Sequence, residues 1–290
     1  MKKNEPAEAF SNAAGRLLKD LKIVTLANNL PGPLAAARLW KLGADVVKVE
    51  PPGGDPLKRY SSDWYGELIS GQRIVTLDLK EKSDREKLDK LLEKSDLLIT
   101  SMRLAPLEKL KLDRVRTQRK FPHLLQIAIT GYESAREKLP GHDLTYQASL
   151  GLLNPPEMPA TLLTDLAAAE KVVSTALIMV LARERGLGAG YAEVSILEAG
   201  EIFAVPLRYG LTSASGILGG GFGGYNLYQT AEGWIALGAL ETKFRTKLLA
   251  EFGLSELERE NLQAVFLTKT AEEWEHWAIK RDLPLKAVKK

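Results

Sequence analysis

An α/β domain built on a parallel sheet, followed by a smaller α+β domain, is the fold class this 290-residue sequence predicts. Three features point there. Short β-branched apolar runs alternate with helical stretches through the first two-thirds of the chain. The longest helical stretch is Ala-rich, running from Asp165 to Arg185 before Gly186. Beyond it the composition shifts to a Gly-rich segment, two short strand-like runs and three helical ones. The large domain is expected over residues 18–200 and the small one over 201–290.

The run KIVTLA (Lys22–Ala27) reads as a strand, and Pro31-Gly32-Pro33 as a turn before a helix over Leu34–Leu42. Gly43 is placed as the glycine that ends that helix. DVVKVE (Asp45–Glu50) is the next strand, closed by Pro51-Pro52-Gly53-Gly54. A β-α-β unit of this kind pairs its strands in parallel through a right-handed crossover. Strands over Arg73–Leu79, Asp96–Thr100, Leu124–Thr130 and Tyr191–Ile196 continue the pattern. Helices over Asp84–Lys94, Pro106–Leu112 and Asp165–Arg185 lie between them. In the small domain, strands flank the Glu232-Gly233 turn, and helices cover Lys243–Phe252, Leu257–Ala264 and Thr270–Lys280.

The composition removes several classes of chemistry. There is no cysteine, so disulfides, thiolate zinc sites and thiol nucleophiles are excluded. Only three histidines occur, without a His-Glu-x-x-His motif, and no metal site is expected. The net charge of +3 is spread along the chain, which argues against a nucleic-acid surface. No run reaches the ~20 apolar residues of a membrane span. The start, MKKNEPAEAF, lacks the apolar stretch of a signal peptide. A cytoplasmic protein is expected.

Two segments carry residues suited to proton transfer. His142 follows Pro140-Gly141 at a predicted helix start, and imidazole is the side chain best matched to proton transfer near neutrality. Asp165 opens the long helix, with Thr164 as the other cap candidate. Alone, each reads as a capping or surface residue. The same helix N-terminus favours developing negative charge, such as an enolate oxygen. Asp143 beside His142 reads as a helix cap. Glu241 follows a strand and is either a surface residue or a carboxylate that orients an imidazole. Lys48, Lys58, Arg59, Arg73, Lys80 and Lys109 lie near predicted element ends, where they could hold the phosphates of a bulky anionic ligand. Gly219, Gly221 and Gly224 match G-x-G-x-x-G without the strand before or the helix after it. They are read as a hinge or close-contact loop.

These pieces resemble, in order, the class III CoA-transferase (CaiB/BaiF) and α-methylacyl-CoA racemase superfamily. The segments are PGPLAAARLWKLGADVVKVEPPGGD, RIVTLDLK, KSDLLITSMRLAPLEKLKLD, PGHDLTYQASLGLL, LLTDLAAAEKVVSTALIMVLARERGLGAGYAEVSILEA and YNLYQTAEGWIALGALETKF. The resemblance runs from about residue 20 onward. Asp165 fills the position of the transferase nucleophile, whereas His142 matches the racemase His where transferases tend to have Tyr. Leu30 stands where formyl-CoA transferases carry a functional Gln, and Glu241 in GALETKF is similar to the racemase Glu in GAIEPQF.

The resemblance implies a Rossmann-like large domain that binds coenzyme A as acyl-CoA substrate, with no metal and no redox cofactor. It implies an interlocked homodimer, with Glu241 supplied by the partner subunit. The implied reaction is a 1,1-proton transfer on a 2-methylacyl-CoA. His142 and Asp165 act on opposite faces, and the helix N-terminus at Asp165 stabilises the enolate. Arg73, Leu77, Lys80, Met102 and Lys109 are the implied CoA contacts. The sequence departs from the pattern at Pro51, where relatives carry Arg, at Met102–Ala105, which replaces an FRPG-like segment, and at Thr161, which replaces Asn. The small domain is short at its C-terminal side relative to the family. A CoA-transferase working through an Asp165 acyl intermediate and a catalytically altered CoA-binding homologue are the alternatives.

Overall fold

The computed structural model describes residues 13, 15–133, 139–188 and 190–289, so the N-terminal decapeptide considered above lies outside it. The chain divides into two compact units, Met1–Ile202 and Phe203–Lys290.

The first unit holds six strands: β1 (Lys22–Thr25), β2 (Asp45–Glu50), β3 (Arg73–Thr76), β4 (Leu97–Thr100), β5 (Leu125–Thr130) and β6 (Tyr191–Ser195). They form one sheet in the order β3-β2-β1-β4-β5-β6, parallel throughout. Its helices are α1 (Pro31–Lys41), α2 (Leu57–Tyr60), α3 (Ser62–Ile69), α4 (Lys82–Leu92), α5 (Leu104–Leu110), α6 (Arg114–Lys120), α7 (Asp143–Ser149) and α8 (Leu163–Glu184), and α9 (Ile196–Arg208) begins in this unit and continues past Ile202.

Strand alternation explains why the central strands are apolar at nearly every position. Ile23, Val46, Leu97 and Ile99 point to one face and pack with Ala35, Ala36 and Leu39 of α1 and with Ala168, Val172 and Ala176 of α8. Val24, Val47 and Leu98 point to the other face and meet Leu88 and Leu92 of α4 and Leu107 of α5. A parallel sheet covered on both faces requires this composition. The strand order reverses between β1 and β4, and a crevice at the C-terminal ends of such strands is where α/β sheets bind ligands.

Several boundaries differ from the sequence reading. Helix α1 starts at Pro31 and absorbs the Pro-Gly-Pro segment read as a turn. Proline fits a first helical turn, whose N–H groups have no intrahelical partner. Helix α8 starts at Leu163 with Leu162 as N-cap, so Asp165 is its third residue and neither Asp165 nor Thr164 is the cap. Helices α2, α3 and α6 are too short for a readable period, and α9 carries Gly200 and Pro206 within it. All four escape the sequence reading.

The second unit has β7 (Tyr225–Gln229), β8 (Trp234–Gly238) and β9 (Leu285–Ala287) in an antiparallel sheet. Helices α10 (Thr242–Phe252), α11 (Arg259–Phe266) and α12 (Ala271–Ile279) contribute Leu248, Leu262, Phe266 and Trp274 to its core beside Tyr228, Ile235 and Leu285. The three-residue strand β9 was not expected. The glycines at 216–224 form packed turns. A Cβ on Gly219 would lie 1.9 Å from the Ser213 carbonyl oxygen, and one on Gly221 would lie 2.3 Å from that of Ser215. Close backbone approach explains those glycines without a dinucleotide site.

Among the described residues no helix is long and apolar enough to cross a membrane, and no cluster of three or more His, Asp or Glu is suited to a metal ion.

Candidate active site

Two cavities lie in the first unit at the C-terminal side of its sheet. The smaller, about 220 Å³, is lined by His142, Asp165, Tyr146, Arg103, Asn28 and Asn29 among others. The structure therefore brings His142 and Asp165 to one cavity, from helices whose first residues lie far apart in sequence.

Each is positioned by local geometry. His142 is the N-cap of α7 with an extended backbone. Its N–H donates to Thr145 Oγ1 at 3.0 Å, and the Thr145 hydroxyl donates back to the His142 carbonyl at 2.8 Å. That exchange fixes the backbone beneath an exposed imidazole. Gly131 and Gly141 admit the buried Tyr146 ring: a Cβ on either would lie 2.3 or 2.5 Å from its atoms. The Tyr146 ring meets Tyr132 edge-on at 5.2 Å. Burial pushes the Tyr146 phenol up to about 12, with Tyr132 and Asp165 adding to the rise, so it stays a neutral donor at physiological pH.

Asp143 caps a helix other than its own. It is buried in the first turn of α7, and its Oδ1 accepts from Thr164 N–H at 2.8 Å, Thr164 Oγ1 at 2.7 Å and Asp165 N–H at 3.1 Å. Its Oδ2 accepts from Gln147 Nε2 at 2.6 Å. The expectation that the α8 N-terminus stabilises an enolate oxygen is corrected here, because Asp143 occupies the N–H groups of Thr164 and Asp165. The same carboxylate acts on Asp165. Burial, and then the Asp143 charge, push the half-buried Asp165 carboxyl up to about 7.

A substitution separates the two roles of Asp143. Asp143→Asn keeps the shape but removes the like charge, so the Asp165 titration moves to lower pH, as carboxyl NMR would read. Asp143→Ala removes the α8 cap and is expected to cost about 1–3 kcal/mol in urea unfolding.

The second cavity, about 420 Å³, is lined by Leu77, Lys80, Met102 and Lys109, with Asn28 and Glu50. Four of the five expected CoA contacts thus share one cavity. Arg73 does not: it opens β3, whereas the lining begins past that strand's C-terminal end. Lys48 also leaves the set of phosphate candidates. It is fully buried, donating to Asp55 Oδ2 at 2.8 Å and to the Ala27 carbonyl at 2.9 Å, with Glu50 at 3.7 Å. Tyr65 in turn donates a short hydrogen bond to Glu50, and burial holds its phenol well above the ordinary range. Lys58 and Arg59 are exposed on α2. Glu241 is the exposed N-cap of α10 in the second unit, without a side-chain capping bond.

Sequence reasoning missed Asn28, Arg103 and Tyr146. Asn28 and Arg103 follow the strands that flank the switch point, which only the strand order reveals. Tyr146 sits one helical turn from His142, a spacing that could have flagged it.

The sequence model of CoA-transferase family III matches residues 18–290. Alpha-methylacyl-CoA racemase of Homo sapiens is 29% identical over 288 residues, covering 89% of this chain and 74% of that protein. Cinnamoyl-CoA:phenyllactate CoA-transferase of Clostridium sporogenes is 33% identical over 143 residues, 44% of this chain and 34% of that one. Among solved structures, a hypothetical protein from Mycobacterium tuberculosis aligns with a TM-score of 0.81 at 23% identity, covering 94% of this chain and 84% of its own. A CaiB/BaiF family protein from Brucella suis aligns at 0.78 and 20%, with the same coverage. The structural likenesses speak to fold, and the family match spans both units: the chain belongs to CoA-transferase family III.

Proposed function

We propose that this chain is an acyl-CoA epimerase that inverts the α-carbon of a 2-methylacyl-CoA thioester by two-base proton transfer. The observation that carries the reading is the pairing of His142 with an Asp165 carboxyl raised to about 7 in one cavity. A thioester acidifies its α-hydrogen. In one direction His142 removes that proton to give the enolate, and protonated Asp165 delivers another to the opposite face. In the reverse direction Asp165 is the base and His142 the acid. No other reactant is consumed. A carboxyl near 7 is present in both forms at neutral pH, which suits a group that is acid one way and base the other. With the Thr164 and Asp165 N–H groups occupied, the Tyr146 hydroxyl and Arg103 are the cavity side chains that would stabilise the enolate oxygen. The neighbouring cavity with Lys80 and Lys109 suits the anionic end of CoA, and the racemase relative supports the reaction class.

A CoA-transferase is the second reading, favoured by the carboxyl of Asp165 and by the transferase relative. A nucleophile attacking a thioester must be ionised, and burial works against that. Incubating the protein with one epimer of a 2-methylacyl-CoA, with and without an acceptor acid, separates the two. Chiral chromatography should show an approach to an equal mixture of epimers without acceptor. Product formed only with acceptor, and trapped by hydroxylamine at Asp165, would favour transfer.

The pH dependence carries a sign. In either direction the productive pair carries one proton, on Asp165 when His142 is the base and on His142 when Asp165 is the base. The epimers interconvert with an equilibrium constant near one, so kcat/KM for both must follow the same pH profile. Loss of the shared proton as pH rises above about 7 is expected to lower kcat/KM for both epimers together.

A further inference from the structure

Asn28 lines both cavities described above, and among the described residues no other is common to them. It follows β1 at the point where the strand order reverses. Its main chain is held on three consecutive residues. Ala27 O accepts from Lys48 Nζ at 2.9 Å, Asn28 N–H donates to Ser101 Oγ at 3.0 Å, and Asn29 N–H donates to Asp55 Oδ1 at 3.0 Å. Asn29 takes a left-handed φ of 66°, which the Asp55 contact secures. A side chain on so fixed a segment has little freedom to find a new partner. Yet Asn28 Oδ1 is buried and accepts no hydrogen bond. Buried carbonyl acceptors are almost always paired, and an orphan between two cavities points to a donor supplied from outside the chain.

We propose that Asn28 sets the register of the substrate's pantetheine arm: its side-chain carbonyl accepts a hydrogen bond from an arm amide N–H where the arm passes between the two cavities. This rests on the acyl-CoA reading above. A thioester has no donor of its own. The pantetheine arm carries two secondary amides, each with one N–H, and the nearer lies two carbons from the sulfur. With the adenosine phosphates beside Lys80 and Lys109 and the α-carbon between His142 and Asp165, the arm must cross at the residue the cavities share. Asn28 is then a positioning residue. It fixes how far the thioester reaches toward the two bases, and it favours an amide-bearing arm over a plain thioester.

The test pairs a variant with a substrate change. Asn28→Leu removes the acceptor at similar size. The two substrates are the 2-methylacyl thioesters of N-acetylcysteamine, which has the N–H, and of 2-mercaptoethyl acetate, which has an ester oxygen in its place. The unmodified protein should prefer the amide by about tenfold in kcat/KM, the effect of one buried neutral hydrogen bond, and Asn28→Leu should show no preference. Equal preference in both proteins overturns the proposal. Calorimetric titration with CoA reads the same contact without turnover: Kd should rise about tenfold in Asn28→Leu, and an unchanged Kd also overturns it. If the unmodified chain binds no CoA, the acyl-CoA reading fails, and the proposal with it. Asn28→Ser, which shortens the side chain, replaces the Leu variant if that one does not fold.

Discussion

Asp165→Asn is expected to lower kcat/KM for epimerisation by about a thousandfold, because a general acid–base group is lost without a change of shape. His142→Gln should do the same. The double variant should fall little further, since two bases that act in one event do not contribute additively. The Asp165 change has a second consequence, of opposite sign. Its folded carboxyl titrates near 7, above the ordinary 3.8, so the fold favours the neutral form. The resulting penalty is absent below about pH 4, where both folded and unfolded forms are protonated. It grows as pH rises toward 7 and is full above that. Asp165→Asn should therefore be the more stable protein at pH 8, by roughly 2 kcal/mol after discounting for partial exposure, and no more stable at pH 4. Thermal unfolding at the two pH values reads this directly. A residue kept for structure alone would lose stability on replacement rather than gain it.

Asp55→Ala should be among the most destabilising single changes in the first unit, at about 3–5 kcal/mol. The fully buried Lys48 ammonium would lose the carboxylate at 2.8 Å, leaving only Glu50 at 3.7 Å, and the N–H groups of Asn29 and Leu57 would lose their acceptor. Removing both charges in Lys48→Met/Asp55→Leu should recover part of the loss, because the uncompensated ammonium is gone. Urea midpoints of the two variants decide this. If the double variant is less stable than Asp55→Ala, the uncompensated Lys48 charge is not the source of the cost. Because the network also holds Ala27 and Asn29, Asp55→Ala should weaken CoA binding as well as the fold.

The alternation of strands and helices was legible because each central strand fills two faces at once. Ile23 and Val24, or Leu97 and Leu98, are apolar neighbours that point opposite ways. His142 and Asp165 were legible for different reasons: one is a rare residue after Pro-Gly, the other opens a long helix, and the ordered family segments join them. What escaped was contact between distant segments. Asp143 reads as the cap of its own helix, yet the donors to its carboxylate lie 21 residues on, at Thr164. That apposition reverses the expected role of the α8 N-terminus. Lys48 reads as a strand-end cation until Asp55 folds back over it. Arg73 was expected with Leu77 and Lys80 from the family resemblance, but an extended strand carries residue 73 about 3.3 Å per residue away from them. Asn28 gives no local signal at all, since its place follows from β1 lying next to β4.

Deuterium incorporation from each pure epimer in deuterated water, followed by NMR with the His142→Gln and Asp165→Asn variants, tests the two-base reading most directly. Each variant keeps one base, so each should exchange the α-hydrogen of one epimer only, without inversion, and the two variants should exchange opposite epimers. Loss of exchange from the same epimer in both variants, or undiminished epimerisation in either, would contradict the assignment of His142 and Asp165 to opposite faces.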